Sequence, residues 1–257
     1  MLLAIDRGNT CDKFAVFDND GTMICNPPSL LRKDFPPVSF KDGRFAVSDI
    51  INMSKCCDIS ACIFSSVTSE KENNDFVTEF NNICPCMQVT TETPLPFRNM
   101  YQCSTIGIDR LCAIAGAKNM VGNNVLVIDA GTCITYDYLD SRDVYCGGSI
   151  SLGFKIKYNA LHNFTANLPL ITSIENTDLI CNTTEKCIQS GVINGTIAEV
   201  EQTINLYKQK FANIKIVLTG GYGNFIKNNI SHDVFEEKNL VLMGLKNIYE
   251  LNEKNNK

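Results

Sequence analysis

The chain has 257 residues, of which 44% are hydrophobic and 20% are charged, an ordinary composition for a globular protein long enough to bury a sizeable core. Its formal net charge is -5 at pH 7, and its lysines and arginines form no dense cluster. Because nucleic-acid binding relies on grouped basic residues that neutralise phosphates, this composition argues against a nucleic-acid partner.

The chain opens on an apolar run that meets Asp6 and Arg7 too early to form the core of a targeting signal. No apolar run approaches a membrane span in length, so we expect a cytosolic protein without a membrane partner. The 13 cysteines are odd in number and do not indicate a disulfide framework. Many lie in apolar runs as small hydrophobic residues. A structural metal site is the lesser alternative at two groups of cysteines: Cys56, Cys57 and Cys62, and Cys84 with Cys86.

The first predicted element is a hairpin. An apolar strand from Leu2 ends at Asp6, a turn at Gly8 follows, and a β-rich run returns over Lys13–Asp18. Glycine at the turn permits a positive φ or a close backbone approach. The remaining elements expected in the first half are strands at Thr22–Cys25, Ala61–Val67 and Met87–Val89, and helices at Glu70–Asn82 and Asp109–Met120.

The second half repeats this order. The apolar run Val125–Ile128 ends at Asp129, Gly131 makes the turn, and Ile134–Asp140 is the return strand. The elements expected after it are a strand at Tyr145–Ile150, a helix at Thr184–Phe211, a strand at Ile214–Leu218, a short strand at 239–242 and a last helix from about Met243.

This repetition predicts a duplicated α/β architecture, with a β-rich hairpin followed by alternating helices and strands in each copy. The break near Gly122 gives an N-terminal lobe of residues 1–119 and a C-terminal lobe of residues 120–257. A single mixed domain with two coincidentally similar hairpins is the alternative.

Both hairpin turns suit phosphate binding. Their small residues expose backbone N–H groups to phosphate oxygens, and the aspartate at each strand end offers the carboxylate oxygens that Mg²⁺ prefers. A third element, Thr219-Gly220-Gly221, lets the backbone approach a flat ligand such as adenine. The order of the three resembles that of the actin, sugar kinase and heat-shock ATPase superfamily, which implies two ribonuclease H-like lobes with an ATP cleft between them.

One further motif narrows the function. Gly107-Ile108-Asp109-Arg110 introduces an Ala-rich helix, where an Asp–Arg pair is often only an ion pair or a cap. In a kinase, the nucleophilic hydroxyl needs a carboxylate to accept its proton, and the substrate needs an anchor. Asp109 is therefore a candidate base, and Arg110 a candidate anchor for an anionic substrate.

Several segments together resemble type III pantothenate kinases over nearly the whole chain. They are Ala4–Thr10, the Gly-x-Asp-Arg motif at Gly107–Arg110, Ile128–Thr135, Gly147–Gly153 and the pair Leu168-Pro169. The resemblance implies ATP-dependent phosphorylation of pantothenate, the first step towards coenzyme A, by a homodimer whose pantothenate site is completed at the subunit interface.

The resemblance also implies roles for single residues. One group would line the ATP phosphates: Asp6, Arg7, Gly8, Asn9, Thr10, Cys11, Asp12, Lys13 and, from the second half, Thr132. A second group would hold pantothenate: Gly107, Ile108, Asp109, Arg110 and Thr184. Asp6 would lie on the Mg²⁺ side, Asp109 would accept the proton, and Asp129 would bind K⁺ or NH₄⁺.

The chain departs from the family pattern in places. Arg7 replaces a small or aliphatic residue and either points to solvent or adds a phosphate contact, and Leu152 replaces a proline. The substrate-facing tyrosine of the family aligns with Met100, so Tyr101 reaches the substrate only through a one-residue deletion. The Ala-rich stretch Leu111–Ala117 suits either a subunit contact or an ordinary core helix.

Three other functions are alternatives to this one. They are another small-molecule kinase of the superfamily, a non-catalytic regulatory or accessory homologue, and a nucleic-acid-processing domain of ribonuclease H-like fold. The Gly-x-Asp-Arg motif disfavours the first and the charge balance disfavours the last. Five retained residues disfavour the accessory homologue: Asp6, Asp109, Arg110, Asp129 and Thr132.

Overall fold

The computed structural model describes residues 1–8, 11–25, 40–41, 44–45, 58–67, 70–103 and 105–255. The chain divides into two compact units. The first comprises Met1–Gly122, Asp143–Tyr145 and Leu240–Lys257, and the second comprises Asn123–Arg142 and Cys146–Asn239. The main division lies close to the boundary expected from the sequence, while the C-terminal helix groups with the first unit. The assignment of functions to two lobes stays a prediction.

Strands and helices are interspersed along the chain. The strands are β1 (Leu2–Arg7), β2 (Asp12–Phe17), β3 (Met23–Cys25), β4 (Phe40–Lys41), β5 (Arg44–Phe45), β6 (Ala61–Ser66), β7 (Cys86–Gln88), β8 (Arg98–Asn99), β9 (Val125–Ala130), β10 (Cys133–Leu139), β11 (Val144–Leu152), β12 (Lys215–Thr219) and β13 (Phe235–Glu236). The helices are α1 (Glu70–Asn81), α2 (Ile108–Val121), α3 (Phe154–Asn163), α4 (Thr184–Lys210), α5 (Gly223–Lys227) and α6 (Leu240–Asn255).

The two units contain the same sheet. In the first, the strand order is β3-β2-β1-β6-β7, with β1 antiparallel to β2 and parallel to β6. In the second, five neighbouring strands of a six-stranded sheet have the order β11-β10-β9-β12-β13, with β9 antiparallel to β10 and parallel to β12. Equivalent strands therefore occupy equivalent places, and the predicted duplication is confirmed.

Strand alternation sorts the side chains of β1 onto two faces. Leu3 and Ile5 pack into one core with Phe76 and Phe80 of α1, so Asp6 lies on the opposite face. Helix α6 packs on α2 and on the strands of this unit. The two helices approach closely, because a Cβ on Gly244 would lie 1.8 Å from the carbonyl oxygen of Cys112.

The second unit has its own core, in which alternate residues of β9 meet α4. Leu126, Ile128 and Ala130 are buried with Val192 and Ile193. Asp129 thus lies on the other face of its strand, as Asp6 does on β1. No helix in the described ranges is long and apolar enough to cross a membrane.

The expected strand at 239–242 is wrong, because α6 begins at Leu240. Leu240, Val241 and Leu242 are all buried, and Leu245 and Ile248 continue the apolar face at helical spacing. A run of three apolar residues suits a strand or a helix equally, and packing against α2 selects the helix. Several short elements were not expected from the sequence: α3, α5, β4, β5, β8 and β13.

Candidate active site

Asp6 lies at the carboxyl end of β1, next to two partner strands. It faces Lys13 of β2 and Ser65 of β6 in the backbone register. The Ser65 hydroxyl donates a hydrogen bond to Asp6 Oδ1 at 2.9 Å, in surroundings where both side chains are buried. The orientation of the Asp6 carboxylate is thus fixed by the neighbouring strand.

The Gly-x-Asp-Arg motif forms the start of α2. Gly107 precedes the helix in an extended conformation, and Ile108 is its first residue. Asp109 Oδ1 accepts a hydrogen bond from the backbone N–H of Arg110 at 2.9 Å, which places a carboxylate at the positive end of the helix dipole. A Cβ on Gly107 would lie 2.4 Å from that same oxygen, so glycine makes room for the carboxylate.

Cys112 is a buried thiol whose pKa responds to both Asp6 and Asp109. Burial raises the pKa of Cys112 well above its usual value, and the nearby charges of Asp6 and then Asp109 raise it further. Cys112 follows Asp109 by three residues and therefore shares its face of α2. The charges of the predicted metal-side carboxylate and of the predicted base therefore both act on the same thiol.

Tyr101, rather than Met100, lies against this motif. The guanidinium carbon of Arg110 is 5.7 Å from the centroid of the Tyr101 ring, within the range of a cation–π contact. Arg110 itself is buried, whereas Met100 is 56% exposed. These contacts favour Tyr101 as the aromatic residue beside the substrate motif.

Arg7 contacts α1, which neither sequence interpretation anticipated. Its guanidinium donates to the carbonyl oxygen of Glu72 at 3.2 Å and lies 4.6 Å from the centroid of the Phe76 ring. Strand alternation would have indicated this, since Arg7 shares the face of Leu3 and Ile5 that packs on α1.

The rest of the first turn is described in part. Asn9 and Thr10 lie outside the described residues. A Cβ on Gly8 would lie 3.0 Å from the carbonyl oxygen of Cys11, so the two ends of the turn are close. Asp12 is buried opposite Arg7, and Lys13 is exposed.

The second turn is tightly enclosed by backbone. The Gly131 N–H donates to the Cys133 carbonyl at 2.9 Å, and the Gly153 N–H donates to the Thr132 carbonyl at 3.1 Å. Gly220 adopts φ +87°, and a Cβ there would lie 2.4 Å from Asp129 Oδ1. Asp129, the exposed Thr132 and the predicted adenosine glycines therefore meet at one place in the second unit.

Thr184 also belongs to the second unit, as the exposed first residue of α4. The side chain of Thr183 caps this helix by accepting from the Lys186 N–H at 3.3 Å. Thr184 lines a cavity of about 620 Å³ together with Leu161, Leu168, Cys181, Asn182, Thr183, Cys187, Ile188 and Gly191. The cavity offers apolar walls beside the threonine hydroxyls.

Within the described part of the chain, no group of three or more His, Cys, Asp or Glu side chains could hold a metal ion. Cys84 and Cys86 therefore do not belong to such a group. Cys56 and Cys57 lie outside the described residues. The site residues therefore offer single carboxylates, Asp6 and Asp109 in the first unit and Asp129 in the second.

The sequence matches the family model of type III pantothenate kinase over residues 2–206. A relative from Flavobacterium psychrophilum with that name is 38% identical over 252 residues, covering 97% of this chain and 99% of the relative. Another, from Christiangramia forsetii, is 38% identical over 255 residues, covering 98% and 99%.

Solved structures share the fold at low identity. A Campylobacter jejuni protein described as a conserved Baf family transcriptional activator matches with a TM-score of 0.57 and 20% identity, covering 98% of this chain and 99% of that one. A Sinorhizobium meliloti protein described as a 2-dehydro-3-deoxygalactonokinase matches with a TM-score of 0.53 and 12% identity, covering 98% and 96%. The predicted actin, sugar kinase and heat-shock ATPase fold is confirmed, and the matches along the sequence show that this chain belongs to the type III pantothenate kinase family.

Proposed function

We propose that this chain transfers the γ-phosphoryl group of ATP to the primary hydroxyl of pantothenate, the first step of coenzyme A synthesis. The observation that supports this best is that the first unit holds two oriented carboxylates, Asp6 through the Ser65 hydroxyl and Asp109 through the Arg110 N–H, in a chain of this family. Phosphoryl transfer needs a group that receives the proton and a separate group that manages phosphate charge. Two oriented carboxylates in the same unit meet that need.

Asp109 is the proposed proton acceptor. The Arg110 N–H holds one of its oxygens at 2.9 Å, and its side chain is only partly buried. A carboxylate fixed in this way can be presented to a substrate hydroxyl without further ordering. Arg110 would bind the carboxylate of pantothenate, because a guanidinium and a carboxylate can pair through two parallel hydrogen bonds.

Asp6 is the proposed residue on the Mg²⁺ side. Its carboxylate oxygens are the ligand type that Mg²⁺ prefers, and Mg²⁺ typically takes one or two carboxylates and completes its shell with water and phosphate. A single oriented carboxylate without a larger acidic cluster among the described residues fits this pattern. When bound, the ion neutralises charge on the β- and γ-phosphates.

Asp129 is the proposed site for a monovalent cation, K⁺ or NH₄⁺. Its carboxylate lies beside Gly220, where the backbone carbonyl of Ala130 also comes close. Oxygen atoms of this kind suit hard cations. Thr132, exposed at the tip of the same turn, is the proposed second contact for ATP.

A homodimer in the cytosol is part of the proposal. The segment leading to Thr184 exposes three large apolar side chains, Phe164 at 88%, Leu179 at 80% and Ile180 at 90%, and exposed apolar surface of this kind is typical of an interface. The Ala-rich part of α2 does not provide this contact, because residues 110–117 are buried and α6 packs on that helix. It is a core helix.

The direct test is ADP release from ATP in the presence and absence of pantothenate and of K⁺. Asp109→Asn is expected to lower kcat by about 10²- to 10⁴-fold while ATP affinity changes less than about twofold, because the base acts only in the chemical step. Asp75→Asn, at an exposed position on α1, is the matched control. Full turnover by Asp109→Asn would remove Asp109 from the base role, and a wild-type protein that ignores pantothenate would refute the function.

A further inference from the structure

We propose that Tyr145 is a positioning residue for substrate binding, which acts through Tyr101 on the guanidinium of Arg110 and so favours a substrate with a carboxylate. This inference rests on the proposed function and deepens it. It concerns the first unit alone, to which all three residues belong. The family pattern found in the sequence gave Tyr145 no role.

The three side chains form a continuous stack. The rings of Tyr101 and Tyr145 are 6.3 Å apart and nearly parallel, with 21° between their planes. The guanidinium carbon of Arg110 lies 5.7 Å from the Tyr101 ring centroid. Phe97 supports Tyr145 from another direction, at 6.2 Å and 56°. Tyr101 is therefore in contact with Tyr145 and with the guanidinium.

The stack runs from the core to the surface. Tyr145 is fully buried, whereas Tyr101 is 37% exposed. The buried end of the stack, Tyr145, cannot shift without disturbing the packed core. Tyr145 therefore limits where the Tyr101 ring can lie. An exposed tyrosine without such support would sample several rotamers.

The backbone holds the same two tyrosines in register. β8 pairs in parallel with the start of β11, where Asn99 faces Tyr145. The Met100 N–H donates to the Tyr145 carbonyl at 3.3 Å, and the Tyr101 N–H donates to Asn99 Oδ1 at 3.0 Å. The residue before Tyr101 is thus bonded to the strand that carries Tyr145, and Tyr101 itself is held by the Asn99 side chain as well as by its ring contact.

This arrangement matters because an arginine side chain is long and loses much rotamer freedom when it is ordered. A guanidinium already held against a ring loses less of that freedom when it binds, and its plane is set for bidentate pairing with a carboxylate. Removing the ring at position 145 should therefore weaken the binding of pantothenate, whose carboxylate needs Arg110, and should leave ATP binding and the chemical step unchanged.

The test compares a variant that keeps the ring with one that removes it. Tyr145→Met fills similar volume without a ring, and we expect it to raise the KM for pantothenate about tenfold, with kcat and the KM for ATP within about twofold. Tyr145→Phe keeps the ring, and we expect its KM for pantothenate to stay within about twofold of the wild type. An unchanged KM in folded Tyr145→Met, or an equal rise in the KM for ATP, would overturn the proposal.

Two further measurements separate positioning from general damage. In an Arg110→Lys background, Tyr145→Met should add less than about twofold to the KM for pantothenate, because the group through which it acts is gone; a full additional tenfold effect contradicts the proposal. Tyr138→Met removes a different buried tyrosine, stacked on Phe211 in the second unit, and should leave the KM for pantothenate unchanged. A similar rise in the KM for pantothenate in Tyr138→Met would show that the effect of Tyr145→Met comes from lost stability.

If Tyr145→Met shows no cooperative thermal unfolding, Tyr101→Leu at its half-exposed position replaces it. Competition by the neutral alcohol analogue of pantothenate is then the readout, since that analogue lacks the carboxylate. Tyr101→Leu should weaken pantothenate about tenfold and the neutral analogue less than about twofold. Equal weakening of both, or of neither, refutes the proposal, whereas a wild-type protein inactive with pantothenate refutes the proposed function itself.

Discussion

Asp6 and Asp129 end equivalent strands, β1 and β9, each with an antiparallel partner on one side and a parallel partner on the other. The turns that follow them differ. Arg7 faces Asp12 across the first turn, which leaves four residues between them, whereas Ala130 faces Ile134 across the second, which leaves three.

The surroundings of the two turns differ as well. Gly153 and Gly220 bring backbone against the second turn from two sides. At the described residues before the first turn, the Ser65 hydroxyl donates to Asp6 and Arg7 donates to the Glu72 carbonyl of α1. Duplicated hairpins have thus kept the place of the aspartate while the support around it diverged, so equivalent substitutions should have unequal effects.

The largest expected contrast is between the two aspartates. Asp6→Asn should lower kcat by about 10²-fold or more, since it removes the proposed metal-side carboxylate. Asp129→Asn should instead weaken the activation by K⁺ and leave a slower, less K⁺-dependent reaction. Steady-state rates over a range of K⁺ concentrations distinguish the two, and an equal dependence on K⁺ in both variants would contradict the separate roles.

The glycines should show the next largest contrast. Gly220→Ala combines a positive φ with a Cβ 2.4 Å from Asp129 Oδ1, so we expect a loss of about 2–4 kcal/mol in the free energy of unfolding. Among the described residues, Gly8→Ala meets the Cys11 carbonyl at 3.0 Å and should cost about 1 kcal/mol. Gly221→Ala is the control, because no atom of the described ranges lies within 4 Å of its Cβ position. Equal losses in denaturant unfolding of all three would refute the difference in enclosure.

Arg7 and Lys13 flank the first turn and should affect different properties. Arg7→Met removes the contacts with Glu72 and Phe76 and should cost about 1 kcal/mol of stability, with the KM for ATP within about twofold. Lys13→Met, at an exposed position, should raise that KM roughly tenfold and leave stability unchanged. Thermal unfolding and ATP kinetics measured on both variants check this, and the reverse pattern would make Arg7 the phosphate contact.

The smallest expected effect concerns the helices behind the second turn. Lys157 of α3 pairs with Glu199 of α4 at 2.8 Å, and Tyr136 donates to the same carboxylate at 3.1 Å. Burial by itself raises the pKa of Glu199, but hydrogen bonds from Lys157, Ser151 and Tyr136 together with the Lys157 charge outweigh it, so the pKa lies below its usual 4.5.

A depressed pKa means that the ionised form stabilises the folded state above the unfolded-state pKa, and that this contribution disappears as the pH falls through the folded-state pKa. Glu199→Gln should therefore cost about 1 kcal/mol at pH 7, because the pair is partly exposed, and progressively less below about pH 4.5. Urea unfolding at several pH values checks this. A difference that stays constant down to pH 3 would contradict the assigned cause.

Short-range sequence patterns predicted the elements whose own residues determine their structure. Continuous apolar runs identified β1, β6 and β9, and their repetition identified the duplication. Helix α3 was not predicted, because only Phe154 and Tyr158 are buried in it, too few for a clear period. Whether the start of α6 forms a strand or a helix depends on its packing against α2, and the sequence does not show that contact.

Short-range patterns likewise predicted the site residues that lie in short motifs, but not the contacts made between distant segments. Asp6 and Asp109 stood out because each ends or begins an element within a short motif. The contacts of Arg7 were accessible through strand alternation. The stack of Tyr101 on Tyr145 depends on the pairing of β8 with β11, and no local pattern gives the partner of a two-residue strand.

The close approach of Gly244 to Cys112 has a consequence for biosynthesis. Helix α6 is translated after every other described element, yet it packs on α2, the helix that carries Asp109. On the ribosome, the second unit, which ends at Asn239, has its full sequence before the first unit has its last helix. We expect nascent chains that stop short of Leu240 to leave α2 open to proteases, which limited proteolysis of stalled chains would detect.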